Sequence, residues 1–435
     1  MQEKRRGVKP PLSEEKLDSL FMLFVLGIYP LLPSRLMFGS VTLQSLFLFI
    51  VIFVCLSLCF LWRKEYQWQL SDMRNLMGIV VVLTALGVGI SMIRKMMQDN
   101  DMGRISFDGE VFLLVFVGTF LLTASGRKFY PYYFDYIVYS GLLVSGVMLY
   151  YDLCGVESGS VLQMFIQNDA DAASYMLLLG TTSVLQYCEC RERNKSFFYA
   201  GSAMISFLLL FLTQNIVGIG IMTLVFVAVP ILFRPTVALV KRDMQLFFLY
   251  LFSLSNMGLI AEYSNFVDKE ISYSLQNGVY LEVAMAAGGI LFFLFWERIP
   301  EGVDTERLVL RRMRKGYQIL FRGLLFLAVA VVIGDTDGKL MNRTGCFRYL
   351  YERSGVCGPL LLAFVLAVSV GWLKRNYHPD KPVTVKLIIL SGVFMVQLFF
   401  WEPVPQSYPI CAVLMLSALY SREARRKICS TKVNM

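Results

Sequence analysis

Long runs of apolar residues recur along the chain and are separated by short polar segments. The first run begins near residue 17 and the last ends near residue 420. Each run holds 16 to 22 residues, which is enough for a helix to cross a hydrocarbon core about 30 Å thick. The runs are apolar on every side and contain Gly and Pro, as helices surrounded by lipid allow. This pattern predicts an all-α polytopic membrane protein.

The apolar runs predict about fourteen transmembrane helices, near residues 17–36, 41–62, 75–93, 109–126, 135–152, 172–189, 197–213, 215–233, 244–261, 278–296, 318–334, 355–373, 383–400 and 405–420. The number falls to twelve or thirteen if the runs flanking 94–108, or those flanking residue 214, form one re-entrant element. The predicted domains are a basic tail at 1–16, one membrane domain at 17–420 and a basic tail at 421–435. The main predicted outer loops are 153–171, 262–277 and 335–354.

The distribution of Lys and Arg predicts the orientation of these helices. With both termini in the cytoplasm, 30 of the 41 Lys and Arg residues fall in cytoplasmic segments and 9 in outer ones. This bias follows the positive-inside rule. The net charge of +9 is therefore a topology signal and predicts no nucleic-acid partner. The basic run from Arg307 to Lys315 indicates contact with anionic membrane lipid.

Two basic residues, Arg322 and Lys386, lie inside predicted spans near their cytoplasmic ends. Snorkelling of the long side chain toward the interface accounts for both.

The N-terminal tail resembles a signal sequence but lacks a cleavage site of small residues, so we expect the first span to be retained. A bacterial inner (plasma) membrane is the simplest expected location.

Composition restricts the chemistry that the chain can perform. Its 435 residues are 56% hydrophobic and include a single His, His378, in a predicted cytoplasmic loop. This excludes sites that need several imidazoles. The spacing of the nine Cys residues outlines no metal site, and nucleotide-binding and hydrolase motifs are missing. We therefore expect no metal and no cofactor, and the candidate site consists of polar residues in or near outer loops.

The first candidates lie where polar residues meet the outer ends of spans. Gln214 and Asn215 form a tight turn between two spans, where they supply partners for exposed helix ends or form the polar floor of an outward cavity. Glu282, about one turn into a span, and Glu262, at the end of the preceding one, place two carboxylates near one surface. One interpretation is that the pair acts as a general base or as a substrate anchor. The other is that these are structural acids whose side chains snorkel or pair with Arg.

The outer loop at 335–353 opposes the positive-inside trend because it holds Lys339, Arg343, Arg348 and Arg353. Guanidinium groups bind phosphate in a bidentate manner and remain charged at any working pH. Aromatic residues in the same loop offer faces for stacking a sugar. The alternative interpretation is a solvated loop in which Arg348 pairs with Glu352, four residues later.

Three short motifs lie within residues 168–233. A span opens with Asn168-Asp-Ala-Asp-Ala-Ala-Ser, and a later span ends Phe-Leu-Thr-Gln-Asn at Asn215 before Ile-Val-Gly-Ile-Gly begins the next. In these motifs the segment resembles the O-antigen polymerase/ligase superfamily of bacterial membrane glycosyltransferases. The segment from Asn277 to Glu282, followed by Gly288 and Gly289, is similar to the family's second signature. The resemblance covers about 130 residues of the chain.

The resemblance implies glycosyl transfer at the outer face from a polyprenyl-diphosphate-linked glycan to the hydroxyl of another glycan. Arg side chains would neutralise the leaving diphosphate, and a carboxylate would activate the acceptor. The family's Ser-Arg pair is replaced by Gln214 and Asn215, and its His by Gln276. These departures favour a divergent polymerase over a His-dependent ligase and leave room for a member that has lost catalysis.

The leading hypothesis is therefore a polysaccharide polymerase-like glycosyltransferase of O-antigen or capsule type. One alternative is a transporter or flippase for lipid-linked oligosaccharides, and the other is a non-catalytic membrane partner or an unrelated polytopic protein. The expected partners are a polyprenyl-diphosphate-linked glycan, membrane lipid and other polysaccharide-assembly membrane proteins. We assign catalytic roles to Glu282 and Arg348, and substrate binding to Arg343, Arg353, Gln214, Asn215, Glu262 and Asn277.

Overall fold

The computed structural model describes residues 12–33, 37–38, 41–61, 129–153, 169–213, 215–233, 236–255, 311–312, 314–323, 326, 345–348, 357–401 and 407–420. Over these residues the fold is helical apart from one short hairpin. The principal elements are α1 (Glu14–Met22), β1 (Met37–Phe38), β2 (Val41–Thr42), α2 (Leu43–Leu61), α3 (Tyr133–Leu153), α4 (Asp169–Glu189), α5 (Arg193–Leu212), α6 (Ile216–Leu232), α7 (Val237–Ser255), α8 (Cys357–Asn376), α9 (Pro382–Phe400) and α10 (Tyr408–Tyr420).

The first predicted span ends earlier than its apolar run. Helix α1 continues as a π-helical segment over Leu23–Ile28 and a 3-10 turn over Tyr29–Leu31. Leu32 then adopts an extended conformation with φ −85° and ψ 138°. The helix stops here because the residue before a proline, in this case Pro33, is disfavoured in the α region. The hairpin that follows pairs Met37 with Thr42 and Phe38 with Val41.

The structure confirms the all-α class and the membrane character of the chain. Among the described residues, four helices are long and apolar enough to cross a membrane: Leu43–Leu61, Tyr133–Tyr150, Arg193–Leu212 and Pro382–Phe400. Val217–Leu232 and Tyr408–Ala418 are apolar but shorter. The predicted spans near 75–93, 109–126 and 278–296, residues 1–11 of the N-terminal tail and the whole C-terminal tail lie outside the described residues. The total of fourteen spans and the side on which the termini lie therefore stay predictions.

Contacts between distant residues show that the helices in the described part of the chain alternate in direction. At one end, Glu189 contacts Lys386, the Tyr377 hydroxyl donates to the Leu232 carbonyl over 2.7 Å, and Asn376 contacts the Ala418 carbonyl. We call this the Lys386 end. At the opposite end, the Gln44 amide donates to the Leu32 carbonyl over 2.8 Å and Ser174 contacts Ser407. We call this the Asn215 end, because residue 215 begins α6 there. The charge distribution predicts that the Lys386 end is cytoplasmic.

Helix α4 lies at the centre of the described bundle. It packs against α3, α5, α6, α7 and α9, and every side chain from 171 to 186 is buried. Its interface with α5 is built from small residues, since the Ser183 and Ser202 hydroxyls lie 2.9 Å apart. A Cβ placed on Gly180 would come within 2.8 Å of the Ser206 hydroxyl oxygen. Small residues allow two helices to approach closely, which is a principal source of helix association in membranes.

A buried ionic cluster joins four helices at the Lys386 end. The Lys386 ammonium, on α9, pairs with Glu189 of α4 at 2.5 Å and also donates to the Gln186 side-chain carbonyl. The Gln186 amide nitrogen donates to Asp135 of α3 over 2.6 Å, and the Tyr199 hydroxyl of α5 donates to the same carboxylate oxygen over 2.7 Å. The Gln186 side chain therefore bridges the buried cation and a second carboxylate.

The position of Lys386 corrects the snorkelling prediction. Lys386 is only 3% exposed, so its ammonium group does not extend to the membrane–water interface. Its charge is compensated by Glu189, whose side chain is 26% exposed, and by the face of the Phe134 ring, whose centroid lies 5.5 Å from the nitrogen. A lysine inside a membrane bundle is stable when it has such partners. Arg322, in contrast, has an exposed side chain.

Side chains at the Lys386 end also cap helices that terminate there. Arg242 donates to the Tyr187 and Cys190 carbonyls at the end of α4. Arg314 and Tyr377 donate to the last carbonyls of α6. Burial raises the pKa of the Tyr377 phenol above its ordinary value of 10.0, so the phenol remains a donor at neutral pH. Donors at helix C-termini satisfy unpaired carbonyls and oppose the negative end of the helix dipole.

The close contact between α4 and α5 predicts a large effect of added volume at Gly180. Replacing Gly180 with Leu should lower the stability by about 1–3 kcal/mol, because overpacking forces the two helices apart. Thermal unfolding in detergent micelles measures the effect. Gly201→Leu is the matched control, since a Cβ at Gly201 meets no heavy atom within 4 Å. Equal losses in the two variants would contradict the small-residue interface.

The ionic cluster predicts an asymmetric response to loss of charge. Glu189→Gln leaves the buried Lys386 cation without its counter-ion, and should lower the unfolding free energy by roughly 3 kcal/mol, the lower end of the range for a broken buried pair. The partial exposure of Glu189 is the reason for choosing the lower end. Adding Lys386→Met should restore most of this loss, because the double variant buries no unpaired cation. A double variant as unstable as Glu189→Gln, by denaturant titration, would refute the role of the buried charge.

Candidate functional site

The turn between α5 and α6 is held by side chains that cap both helices. The Asn215 side-chain oxygen accepts the Gly218 backbone N–H over 3.1 Å, so Asn215 is the N-cap of α6. The Thr213 hydroxyl donates to the Leu210 carbonyl over 2.7 Å at the end of α5. Asparagine is among the preferred N-cap residues because its oxygen satisfies a free amide of the first turn. The helix-end interpretation of Asn215 is thereby confirmed.

A buried cluster of neutral polar side chains lies at the same Asn215 end. The Ser174 hydroxyl of α4 donates to the Gln397 side-chain carbonyl of α9 over 3.1 Å. A hydroxyl has one proton to donate, so the Ser407 hydroxyl, 2.5 Å from Ser174, donates to Ser174 in turn. All three residues are fully buried. They tie α4, α9 and the start of α10 together.

The Gln397 amide nitrogen is a further feature of this cluster. Within the described part of the chain, it is buried and makes no hydrogen bond. A buried donor without an acceptor is unfavourable by about 1–3 kcal/mol. The amide nitrogen therefore marks a point in the cluster at which an additional acceptor oxygen would be stabilised.

The turn that carries Arg348 is seated on the end of α9. A Cβ at Gly345 would overlap the Phe399 carbonyl oxygen, so the two backbones are in direct contact. The Phe347 and Phe399 rings stack with centroids 5.1 Å apart. Cys346 is 2% exposed, whereas the Arg348 side chain is exposed. The sequence prediction that Arg348 lies at the same end as the 213–215 turn agrees with this placement.

The end of α9 also contacts the helix that Asn215 caps. A Cβ at Gly218 would lie 3.7 Å from the Trp401 ring and 3.6 Å from the Ala173 Cβ. The Tyr408 hydroxyl donates to the Trp401 carbonyl over 3.2 Å. Asn215 and Arg348, two of the predicted site residues, thus belong to elements that pack on one short segment, Gln397–Trp401.

The other predicted site residues lie outside the described residues. They are Glu282, Glu262, Asn277, Gln214, Arg343 and Arg353. The proposed pair of carboxylates and the full set of outer guanidinium groups therefore stay predictions.

The sequence analysis assigned no role to four buried polar residues at the Asn215 end: Asp171, Ser174, Gln397 and Ser407. Asp171, in the first turn of α4, is 4% exposed. One sequence feature could have indicated such residues, namely a single polar residue within an apolar run. Burying a polar side chain in a membrane helix is unfavourable unless it has a hydrogen-bonding partner. Gln397 is such a residue. Ser174 and Ser407 are small enough to be accommodated in any packed interface, so neither position indicated a buried hydrogen bond.

The described part of the Asn215 end combines neutral hydrogen-bonding groups and the buried Asp171 carboxyl group with one guanidinium at its edge. Among the described residues, no group of three or more His, Cys, Asp or Glu residues is arranged to hold a metal ion. Hydroxyl, amide and guanidinium groups recognise polyhydroxylated and anionic ligands by hydrogen bonding and charge. The chemistry available there is binding and charge stabilisation.

The close contact between the backbones of Gly345 and Phe399 predicts that a methyl group at position 345 displaces the turn that carries Arg348. Gly345→Ala should increase the maleimide reactivity of Cys346, because the added Cβ cannot coexist with the Phe399 carbonyl oxygen. Peptide mass spectrometry after timed labelling in micelles gives the rate. Gly392→Ala, on α9, is the matched control, because a Cβ there meets nothing within 4 Å. Unchanged labelling of Cys346 in Gly345→Ala would show that the turn is not seated as described.

Comparison of the chain with protein-family models, with curated proteins and with solved structures found no match.

Proposed function

We propose that the chain is a polysaccharide polymerase-like glycosyltransferase that acts on polyprenyl-diphosphate-linked oligosaccharides at the outer face of a bacterial inner membrane. The observation that carries the proposal is the packing of the Arg348 turn on α9, beside the buried Ser174, Gln397 and Ser407 cluster. A lipid-linked donor places its diphosphate at the membrane surface. An exposed guanidinium at the end of a membrane bundle is suited to bind it.

The orientation inferred from charge supports this assignment. The Asn215 end is the predicted outer end, and polymers of lipid-linked repeat units are assembled there in the family that the sequence resembles. The Arg-rich loop at 335–353 opposes the positive-inside trend at this end. Binding of an anionic ligand explains why guanidinium groups occur on the outer side despite that trend.

In the proposed reaction, a hydroxyl oxygen of the acceptor glycan attacks the anomeric carbon of the donor. The bond from that carbon to the diphosphate oxygen breaks, and its electron pair leaves with the diphosphate. Arg348, with Arg343 and Arg353, stabilises the negative charge that develops on the leaving group. The acceptor proton passes to a carboxylate, which we assign to Glu282. The anomeric carbon acquires oxocarbenium character, as in glycoside hydrolysis.

The remaining predicted residues receive supporting roles. The Asn215 oxygen is engaged by the Gly218 amide, so we assign Asn215 to positioning the turn that carries Gln214. Gln214, Glu262 and Asn277 are proposed to bind sugar hydroxyls. Amide side chains suit this task because they both donate and accept hydrogen bonds, and a carboxylate suits it because it accepts them from sugar hydroxyls.

The function is tested with purified protein in liposomes supplied with undecaprenyl-diphosphate oligosaccharide from the cells that express the chain. The expected result is a ladder of products on a gel. Arg348→Ala should reduce the product by about 100-fold, as expected when one group that stabilises developing charge is removed. Glu282→Gln should abolish the ladder. The control Arg375→Ala removes an exposed cation from the Lys386 end and should keep full activity.

Two outcomes of this experiment would reject the proposal. Movement of the oligosaccharide between leaflets without any ladder would establish the flippase alternative. A ladder that is unaffected by both Arg348→Ala and Glu282→Gln would reject the assigned site. Elution and yield of each variant on size-exclusion chromatography confirm that it is folded.

A further inference from the structure

One exposed stripe on a helix at the Lys386 end combines cationic and apolar side chains. Residues 311–326 are helical wherever they are described. The side chains of Arg311, Lys315 and Arg322 are exposed. Ile319 is 71% exposed and Phe326 is 76% exposed.

These five positions share one face of the helix. They are separated by four, four, three and four residues. With 3.6 residues per turn, they fall within an arc of about 80°. The half-buried Tyr317 lies on the opposite side of the same helix. The stripe therefore faces away from the bundle.

The order of side chains along the stripe matches the order of groups in a phospholipid. Arg311 and Lys315 come first, at the Lys386 end, and Phe326 lies about 22 Å farther along the helix axis. Arg322 lies in the apolar part, where a long side chain extends toward the interface to reach polar groups. Cations at headgroup depth followed by exposed apolar side chains complement a phosphate followed by an acyl chain.

The turn that begins this stripe is anchored to the bundle. The Arg314 guanidinium donates to the Ile231 carbonyl near the end of α6 over 3.4 Å. This contact ties the basic turn to a helix end, so the neighbouring cations are presented at a defined depth. Such anchoring reduces the ordering entropy that binding must offset.

We propose that Arg311, Lys315, Ile319, Arg322 and Phe326 form a binding site for one anionic phospholipid of the membrane leaflet at the Lys386 end. The three cations bind the phosphate of a head group whose net charge is negative. The two apolar side chains contact an acyl chain. Phosphatidylglycerol satisfies both requirements, whereas phosphatidylcholine has no net charge to match the cations.

The site is tested by native mass spectrometry of the full-length protein in detergent, titrated with phosphatidylglycerol or phosphatidylcholine. Phosphatidylglycerol should bind at least about tenfold more tightly. The triple variant Arg311→Gln, Lys315→Gln, Arg322→Gln should bind it on the order of 100-fold more weakly than the unaltered chain, since each cation near a lipid surface contributes about fivefold. Equal affinity for the two lipids would overturn the proposal.

A matched triple variant separates a specific site from general charge attraction. Arg191→Gln, Arg193→Gln, Lys195→Gln removes three exposed cations from the same end of the bundle and should leave phosphatidylglycerol binding unchanged. An equal loss in both triple variants would overturn the proposal. If the first triple variant is unfolded by size-exclusion chromatography, Arg311→Gln alone should weaken binding by about fivefold, and no weakening would overturn it.

Inorganic phosphate tests whether the acyl chain contributes. Phosphate at the concentration of the lipid should not displace phosphatidylglycerol, because it lacks the contacts with Ile319 and Phe326. Complete displacement would show that the stripe binds phosphate alone and would overturn the assignment to a lipid.

Discussion

A buried ammonium constrains the arrangement of the whole helical bundle. Lys386 is almost fully buried, and an unpaired cation in a low-dielectric interior is far less stable than one held by a counter-ion and acceptors. Glu189, Gln186 and the Phe134 ring meet this need. Gln186 then extends the network to Asp135 and Tyr199. Helices α3, α4, α5 and α9 therefore cannot slide past one another without exposing a charge to the apolar interior.

The same two helices that hold the ion pair also form the polar cluster at the opposite end. Helix α4 carries Gln186 and Ser174, about 18 Å apart along its axis, and α9 carries Lys386 and Gln397, about 17 Å apart. Because these separations match, two antiparallel helices are joined by polar contacts at both ends. The position of Gln397 determines that of Phe399, on which the Arg348 turn rests. The candidate site is thereby held in place by a network that lies across the bundle from it.

The positive charge of the chain serves several purposes at the Lys386 end. The distribution of Lys and Arg was interpreted as a topology signal, and the structure adds local reasons for it. Arg242 and Arg314 donate to carbonyls at the ends of α4 and α6, where the helix dipole favours cations. Periodicity and composition could not predict these contacts, because each joins a side chain to a carbonyl far away in the sequence. Lys386 shows the same limit of sequence-based prediction. A lysine near the end of an apolar run is the pattern expected both for a side chain that snorkels and for one that is buried in an ion pair.

The sequence by itself determined the membrane class, the helical elements and the concentration of basic residues in alternate loops, because apolar length and charge are local properties of the chain. It also located the turn at Thr213 and Asn215 and the placement of Arg348 at the same end. Only the tertiary structure decided that Asn215 caps a helix, that Lys386 pairs with Glu189, and that Ser174, Gln397 and Ser407 meet. A polar residue in an apolar run signals that a partner is needed. Which partner it finds depends on the packing of helices that are hundreds of residues apart, and one sequence carries no periodic signal for that packing.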